Sequence, residues 1–279
     1  MLPEISNPGK LKNLEEILES LQSVIVAYSG GVDSAFLAVV ANNVLGERAL
    51  AVTAYSPSLT EVELNNAVEL ANKMKLNHRV IETTEVERPD YKQNTTARCY
   101  FCKDELYTQL GNIAQTEGYV SIANGTNLDD MSDFRPGLKA AKKYGVRSPL
   151  AESEFTKSDV REYSRRIEIP VWDKPSQACL SSRIPYGTVV TVEALTKIAK
   201  AEGFLNDLGL RQFRVRHHEN IARIEVEPSE FGRLIETSVR ESLVEYFKSI
   251  GYTYVTMDLL GFRSGSLNEI VFDQEAQSK

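Results

Sequence analysis

The chain has 279 residues, enough for one large domain or two modest domains with a substantial hydrophobic core. Its net charge of −7 argues against the broad basic face that nucleic-acid-binding proteins use, so we expect no nucleic-acid partner. Hydrophobic residues make up 42% of the chain, but no apolar run reaches the length of a membrane span.

Strand-like and helix-like segments alternate through the first half. In order, we predict a helix from Leu11 to Gln22, a strand from Val24 to Tyr28, a helix beginning at Ala35, a strand from Ala49 to Tyr55, a helix from Thr60 to Lys75, a strand from His78 to Glu82, a helix from about Cys102 to Gly118 and a strand from Val120 to Asn124. Such alternation produces right-handed crossovers and a parallel sheet covered on both faces. The first half therefore predicts a doubly wound α/β fold, in which ligands bind beyond the carboxyl ends of the strands.

The pattern changes after about residue 185. There we predict a helix from Thr191 to Leu208, an antiparallel hairpin of Gln212 to Arg216 with Ile221 to Val226, one amphipathic helix from Pro228 to about Ser249, and a last strand from Tyr252 to Asp258. These elements indicate a small α+β domain. We therefore predict two domains, over residues 1–185 and 186–279.

A glycine-rich loop connects the first predicted strand to the following helix, and it reads Ser29-Gly30-Gly31-Val32-Asp33-Ser34. Its glycines permit positive φ and close backbone approach, and N–H groups at the new helix N-terminus favour an anion. Its serines add hydroxyl donors, and Asp33 can bind the Mg²⁺ that accompanies a triphosphate. Because the lysine of the Walker loop is missing, the segment resembles instead the PP-loop of enzymes that cleave ATP to AMP and pyrophosphate. The alternative is an ordinary glycine-rich turn.

A second polar loop follows the strand that ends at Asn124, and it reads Gly125-Thr126-Asn127-Leu128-Asp129-Asp130. A doubly wound sheet brings such a loop to the nucleotide, where Asp129 could bind Mg²⁺ or orient phosphates. Arg135, a few residues later, carries a guanidinium group that can bind a phosphate through two N–H groups. A capped, solvated connection is the alternative, since Asn and Asp favour turns. Many PP-loop enzymes carry a similar G-T-N-x-D-D sequence at this point.

The chain has three cysteines, of which Cys99 and Cys102 form a C-Y-F-C sequence and Cys179 lies far downstream. An odd number of cysteines and the lack of a signal-peptide pattern at the N-terminus lead us to expect a cytoplasmic protein. The pair could be redox-active, part of a zinc site, an iron–sulfur anchor or inert core residues. Structural zinc prefers four ligands, whereas iron–sulfur clusters tolerate wide gaps between thiolates.

Several later motifs, together with the glycine loop, resemble the LarE family of ATP-dependent sulfur transferases over nearly the whole chain. The motifs are Arg135-Pro136-Gly137-Leu138-Lys139, Ala178-Cys179-Leu180-Ser181-Ser182-Arg183, Arg214-Val215-Arg216-His217 and Gly261-Phe262-Arg263-Ser264-Gly265. The family converts carboxylates of a pyridinium dicarboxylate mononucleotide into thiocarboxylates, for the nickel-pincer cofactor of lactate racemase. The resemblance implies ATP and Mg²⁺ as cofactors, a PP-loop fold and a homo-oligomer.

The resemblance also implies roles for the cysteines. In one branch of the family, the cysteine that matches Cys179 donates its sulfur to the substrate and becomes dehydroalanine. Another branch holds a 4Fe-4S cluster on three cysteines and uses an external sulfide source. Because Cys99 and Cys102 accompany Cys179 here, the chain resembles the second branch, and sacrificial donation by Cys179 stays open as the alternative.

Basic residues are the further candidates for binding an anionic substrate. Arg214 and Arg216 share one face of a strand, and the resemblance places a substrate phosphate there. The alternative for this pair is a cross-strand charge pair, for instance with Glu225. Ser182 and Arg183, beside Cys179, are further candidates for substrate binding.

The resemblance also places Glu202 and Glu225 at acidic positions near the family's sulfur site.

Other functions stay open at this point. A tRNA thiolase of the PP-loop superfamily is the main rival, but its substrate needs a basic platform that this acidic chain lacks. Two further alternatives are an amide-forming PP-loop enzyme, which would not need the three cysteines, and a nucleotide-binding regulator that catalyses no reaction.

Overall fold

The computed structural model describes residues 8–132, 136–175 and 178–263. The helices among them are α1 Pro8–Ser20, α2 Val32–Leu45, α3 Glu61–Lys73, α4 Pro89–Lys92, α5 Arg98–Glu117, α6 Gly137–Lys143, α7 Pro149–Glu152, α8 Lys157–Arg166, α9 Val192–Asp207, α10 Phe231–Ile235 and α11 Thr237–Ser249. The strands are β1 Val24–Ala27, β2 Ala49–Tyr55, β3 His78–Glu82, β4 Ser121–Asn124, β5 Phe213–His218, β6 Ile221–Val226 and β7 Tyr254–Met257.

Two compact units make up the chain. The first unit contains residues 1–85 and 99–177, and the second contains residues 86–98 and 178–279. The second unit thus includes a short segment that is far from the rest of it in sequence. The predicted domain boundary after residue 185 stays a prediction.

A parallel four-stranded sheet, in the order β3-β2-β1-β4, forms the centre of the first unit and confirms the predicted α/β class. Side chains of β1 alternate between its faces: Val24 and Val26 join one buried core, whereas Ile25 joins another. The sheet is therefore covered on both sides, by α1, α2, α3 and α8 on one and by α5 and α6 on the other. Because β4 returns beside β1, the strand order reverses there, and such a reversal is where α/β sheets bind ligands.

Three helices of the first unit, α6, α7 and α8, were not predicted from the sequence. They have 7, 4 and 10 residues, so apolar periodicity gives little signal over them. A capping box of Thr156 and Asp159 begins α8 and is the signal that could have identified it. In addition, α5 begins at Arg98, earlier than the predicted start near Cys102.

The second unit contains a three-stranded sheet in the order β5-β6-β7, and its β5–β6 pair is the predicted antiparallel hairpin. The single helix predicted from Pro228 to Ser249 is wrong, because Glu236 adopts an extended backbone (φ −54°, ψ 135°) between α10 and α11. At about 100° per residue, an unbroken helix would point Leu234 and Leu243 in opposite directions. The break allows both side chains to enter one core.

Among the residues that the structure describes, no helix combines the length and the apolar character that crossing a membrane requires.

Candidate active site

Two loops at the carboxyl ends of β1 and β4, residues 29–34 and 125–130, are here called the phosphate loops. Their backbones approach so closely that a Cβ at Gly125 would lie 2.8 Å from the backbone nitrogen of Ser34. Gly30 has φ +71°, and a Cβ there would lie 2.8 Å from the Cβ of Ala67. Glycine is therefore required at both positions, by close approach at one and also by backbone conformation at the other.

Hydroxyl groups order the first phosphate loop. Ser34 Oγ accepts the backbone N–H of Ser29 at 3.1 Å and donates to the carbonyl of Gly31 at 3.1 Å. The hydroxyls of Ser29 and Ser34 are also 3.1 Å apart. Because Gly31 is the N-cap of α2 and has no side chain to cap the helix, the N–H groups of the first turn remain suited to an anion.

Asp33 connects the two phosphate loops. Its Oδ1 accepts a hydrogen bond from Asn127 Nδ2 at 3.0 Å, and its Oδ2 forms an ion pair with the Lys157 ammonium. The backbone N–H of Lys157 donates to Asp129 Oδ2 at 2.7 Å, so Asp33 and Asp129 both contact this lysine. Sequence reasoning missed Lys157, although it is the first residue of α8 and follows the N-cap Thr156.

The acidic side chains suit a magnesium ion, because carboxylate oxygens are the ligands that Mg²⁺ prefers. Asp33 is half-buried and Asp129 is exposed, so solvent reaches both carboxylates. Arg135, the predicted cation near this loop, lies outside the described residues.

A separate polar cluster in the second unit surrounds the segment 178–190, here called the Cys179 loop. The Cys179 side chain is exposed at the start of a 3₁₀ turn, Leu180–Arg183. Arg183 is buried, and its Nη1 donates to the carbonyls of Ala178 at 2.6 Å and Cys179 at 3.1 Å. Its Nε and Nη2 donate to the two carboxylate oxygens of Glu202 at 2.8 and 2.9 Å. Arg183 thus fixes the backbone at Cys179, and its predicted contact with substrate stays a prediction.

Arg214 and Arg216 differ in their surroundings, although they share a strand face. Arg216 makes a two-pronged pair with the fully buried Glu225, at 3.0 and 2.8 Å, and donates to the carbonyl of Ser182 at 2.8 Å. Arg214 lies over the ring of Phe262, 5.1 Å from its centroid, and has no carboxylate partner among the described residues. Burial, followed by the nearby guanidinium of Arg183, lowers the pKa of Arg214 to about 10, so Arg214 is a cation at neutral pH.

The three cysteines are divided between the units. Cys99 and Cys102 lie in the first two turns of α5, where a spacing of three residues places both on one helix face. Cys99 and Cys179 are exposed, Cys102 is half-buried, and none of the three is in a disulfide bond. Accessible, reduced thiols with two on one helix face are a donor set that suits an iron–sulfur cluster. Within the described ranges, however, no group of three or more His, Cys, Asp and Glu side chains could hold a metal ion. The cluster stays a prediction.

Comparison with known proteins identifies the family. The sequence profile of the NAD synthase family matches residues 11–114, which include the first phosphate loop. A pyridinium-3,5-bisthiocarboxylic acid mononucleotide synthase of Lactiplantibacillus plantarum is 36% identical over 93% of this chain and 94% of its own length. The chain belongs to the LarE family. It is therefore an enzyme of the PP-loop superfamily, whose members bind ATP.

Other relatives of this LarE-family chain carry no assigned function. An uncharacterized protein of Synechocystis is 45% identical, and the match covers 94% of this chain and 98% of the relative. An uncharacterized protein of Methanocaldococcus jannaschii is 32% identical, with 91% of this chain and 96% of the relative covered. The alignments span both units, so the likeness is not limited to the phosphate loops.

Proposed function

We propose that the chain is an ATP-dependent sulfur transferase that converts the carboxylates of a pyridinium-3,5-dicarboxylate mononucleotide into thiocarboxylates. The observation that carries this proposal is the alignment with the bisthiocarboxylic acid mononucleotide synthase, which extends over 93% of the chain. As its name states, that relative makes a nucleotide with two thiocarboxylate groups. Such a product belongs to the synthesis of the nickel-pincer cofactor that lactate racemase uses.

Activation of the carboxylate is the first step of the proposed reaction. A carboxylate oxygen attacks the α-phosphorus of ATP, the bond from that phosphorus to the bridging oxygen breaks, and pyrophosphate leaves. The phosphate loops are suited to this step because their N–H and hydroxyl groups can stabilise the negative charge of pyrophosphate. Asp33 and Asp129 would hold Mg²⁺, and Lys157 would move from Asp33 toward a phosphate oxygen.

Substrate recognition in the proposed reaction depends on the basic side chains of the second unit. Arg214 carries a positive charge without a carboxylate partner in the described chain, so it suits the substrate phosphate. Arg216 is already paired with Glu225, and we propose that it shapes the site beside Arg214. Ser182 lies three residues after Cys179, and its carbonyl and hydroxyl both accept hydrogen bonds from arginines.

Sulfur delivery completes the reaction when a sulfur nucleophile attacks the acyl adenylate and AMP leaves. We propose that Cys99, Cys102 and Cys179 hold a 4Fe-4S cluster. Three thiolates leave one iron of such a cluster open to an external sulfide, and this is the chemistry that the group supplies. In the alternative, the Cys179 thiolate attacks the adenylate directly. Loss of its Cα proton then breaks the Cβ–S bond and leaves a thiocarboxylate and dehydroalanine.

The proposed activity is tested by incubating the protein with ATP, Mg²⁺ and the dicarboxylate mononucleotide, and by measuring pyrophosphate and the thiocarboxylated product. We expect both products from the native chain, and an Asp33→Asn variant should release pyrophosphate at least tenfold more slowly. A control substitution at Glu47, an exposed residue after α2, should leave the rate unchanged. Pyrophosphate release that does not depend on the dicarboxylate would contradict the proposal.

The two sulfur sources are separated by a second experiment. Anaerobic reconstitution with iron and sulfide should give thiolate-to-iron charge-transfer absorbance in the native chain but not in a Cys99→Ala/Cys102→Ala variant. Cluster-dependent delivery predicts multiple turnovers with sulfide in the native chain alone. A single turnover in both proteins, with loss of H₂S at Cys179 in the mass spectrum of the spent protein, supports the sacrificial alternative.

A further inference from the structure

The segment 86–98 belongs to the second unit, although the chain on both sides of it belongs to the first. Inside the second unit this segment contacts the Cys179 loop through a set of buried polar groups. We propose that Asn94 and Arg98 are positioning residues that fix the Cys179 loop for sulfur transfer. The inference rests on the proposed role of Cys179 in the sulfur step.

Asn94 is the centre of these contacts. It is fully buried, and its Nδ2 lies 3.3, 2.8 and 2.9 Å from the carbonyl oxygens of Ile184, Pro185 and Thr188. Its own carbonyl accepts the backbone N–H of Gly187 at 3.0 Å. The two N–H groups of this amide thus serve three carbonyls, of which Pro185 and Thr188 are the nearer, and no aliphatic side chain could donate to them.

The backbone conformation of Asn94 adds a second reason for the residue type. Its φ of +52° lies in the left-handed region, which asparagine enters more readily than most residues. Asn94 adopts this conformation between the end of α4 and the start of α5. A substitution must therefore preserve both the conformation and the donor.

Arg98 connects Asn94 to the residues next to Cys179. Its Nη1 donates to Asn94 Oδ1 and, at 2.9 Å, to the carbonyl of Ser181. The Ser181 hydroxyl is 2.6 Å from the hydroxyl of Tyr91, which belongs to the same segment. Because Arg183 fixes the carbonyl of Cys179 and Arg98 fixes that of Ser181, both sides of Leu180 are held by buried guanidinium groups.

Such fixation matters because the sulfur and the activated carbonyl must meet in a narrow range of distances. A misplacement of about 1 Å can lower a reaction rate roughly 10²-fold. The Cys179 side chain is itself exposed, so the order at this position comes from its backbone. Loss of the contacts from Asn94 and Arg98 should therefore slow sulfur transfer while leaving ATP activation, which depends on the phosphate loops, intact.

The experiment compares four variants of the full chain. Asn94→Gly keeps the left-handed conformation and removes the amide, and Arg98→Met removes the guanidinium at similar length. Arg98→Lys restores one cationic donor. The matched control is Glu219→Gly, which also replaces a residue of positive φ in the second unit, at the exposed β5–β6 turn.

Hydrogen exchange over residues 178–190 is the first readout, and the separate rates of pyrophosphate release and thiocarboxylate formation are the second. In Asn94→Gly and Arg98→Met we expect exchange at least tenfold faster and thiocarboxylate formation at least tenfold slower, with pyrophosphate release within twofold of the native rate. Arg98→Lys should recover part of both changes, and Glu219→Gly should match the native chain.

If hydrogen exchange over residues 178–190 is unchanged in both variants, Asn94 and Arg98 do not fix the Cys179 loop and the proposal is overturned. An equal fall in the two rates would show a merely structural role and would also overturn the positioning role. If the native chain forms no thiocarboxylate, the proposed function fails, and the exchange measurement still decides whether Asn94 and Arg98 fix the loop.

Discussion

Removing the carboxylate of Glu225 is the sharpest test of how the second unit is held together. Glu225 Oε1 accepts hydrogen bonds from Arg216 at 3.0 Å and from Arg223 at 3.2 Å, and its Oε2 accepts from Arg216 at 2.8 Å. The side chain of Glu225 is 0% exposed and that of Arg216 is 8% exposed. A Glu225→Leu substitution would leave a buried guanidinium without its counter-charge.

The expected loss in the free energy of unfolding follows from the burial of Glu225 and Arg216. Breaking a buried ion pair by removing one partner costs about 3–5 kcal/mol in the free energy of unfolding. Since about 1.4 kcal/mol corresponds to a factor of ten, the second unit should unfold between roughly a hundredfold and a few thousandfold more often. Replacing both partners, in Arg216→Met/Glu225→Leu, should recover much of this loss because no unpaired charge remains.

Native-state hydrogen exchange of β6 amides measures this opening. The matched control is Glu241→Leu in α11, where the carboxylate is 69% exposed and lies 3.6 Å from Arg240. Its effect should stay within about 0.5 kcal/mol, since exposed ion pairs contribute little. A loss below about 1 kcal/mol for Glu225→Leu, or a double variant less stable than the single one, would show that the buried charge pair does not hold the second unit together in this way.

Three further predictions concern the nucleotide site and pH. Gly125→Ala should weaken ATP binding at least tenfold in an equilibrium titration, because its Cβ would lie 2.8 Å from the Ser34 nitrogen, whereas Gly111→Ala, which meets no atom within 4 Å, should not. Lys157→Gln should slow pyrophosphate release, and an unchanged rate would exclude a role for this ammonium. Burial, followed by Lys197, lowers the pKa of His217 below its usual 6.5, so the stability from its neutral form is present above pH 6.5 and lost as pH falls. Urea midpoints should therefore fall less between pH 7 and pH 5.5 in His217→Gln than in the native chain.

Sequence patterns were sufficient for the parallel sheet of the first unit. Runs such as Val24–Ala27 and Ala49–Tyr55 are short and apolar, and the segments between them have helical spacing. The hairpin of β5 and β6 was equally visible, since polar and apolar residues alternate along both strands. These elements follow from local periodicity, so they do not depend on knowing what they pack against.

Other features could not be read from local patterns. The break at Glu236 depends on Leu234 and Leu243 sharing a core, which is a demand of packing. Lys157 is 124 residues from Asp33 in sequence, so no spacing rule connects the two. The sequence left open whether Arg216 contacts a substrate or pairs with Glu225. In the structure, Arg216 forms an ion pair with the buried carboxylate of Glu225.

The fold class, the phosphate loops and the family could be assigned from the amino-acid sequence, because each depends on the order of residues along a short stretch or on alignment over the whole chain. The folded chain was needed to show that Arg216 pairs with a carboxylate, that Lys157 contacts Asp33, and that residues 86–98 belong to the second unit. The physical reason is that charges and buried donors select partners by proximity and desolvation. Both quantities exist only after distant segments have packed together.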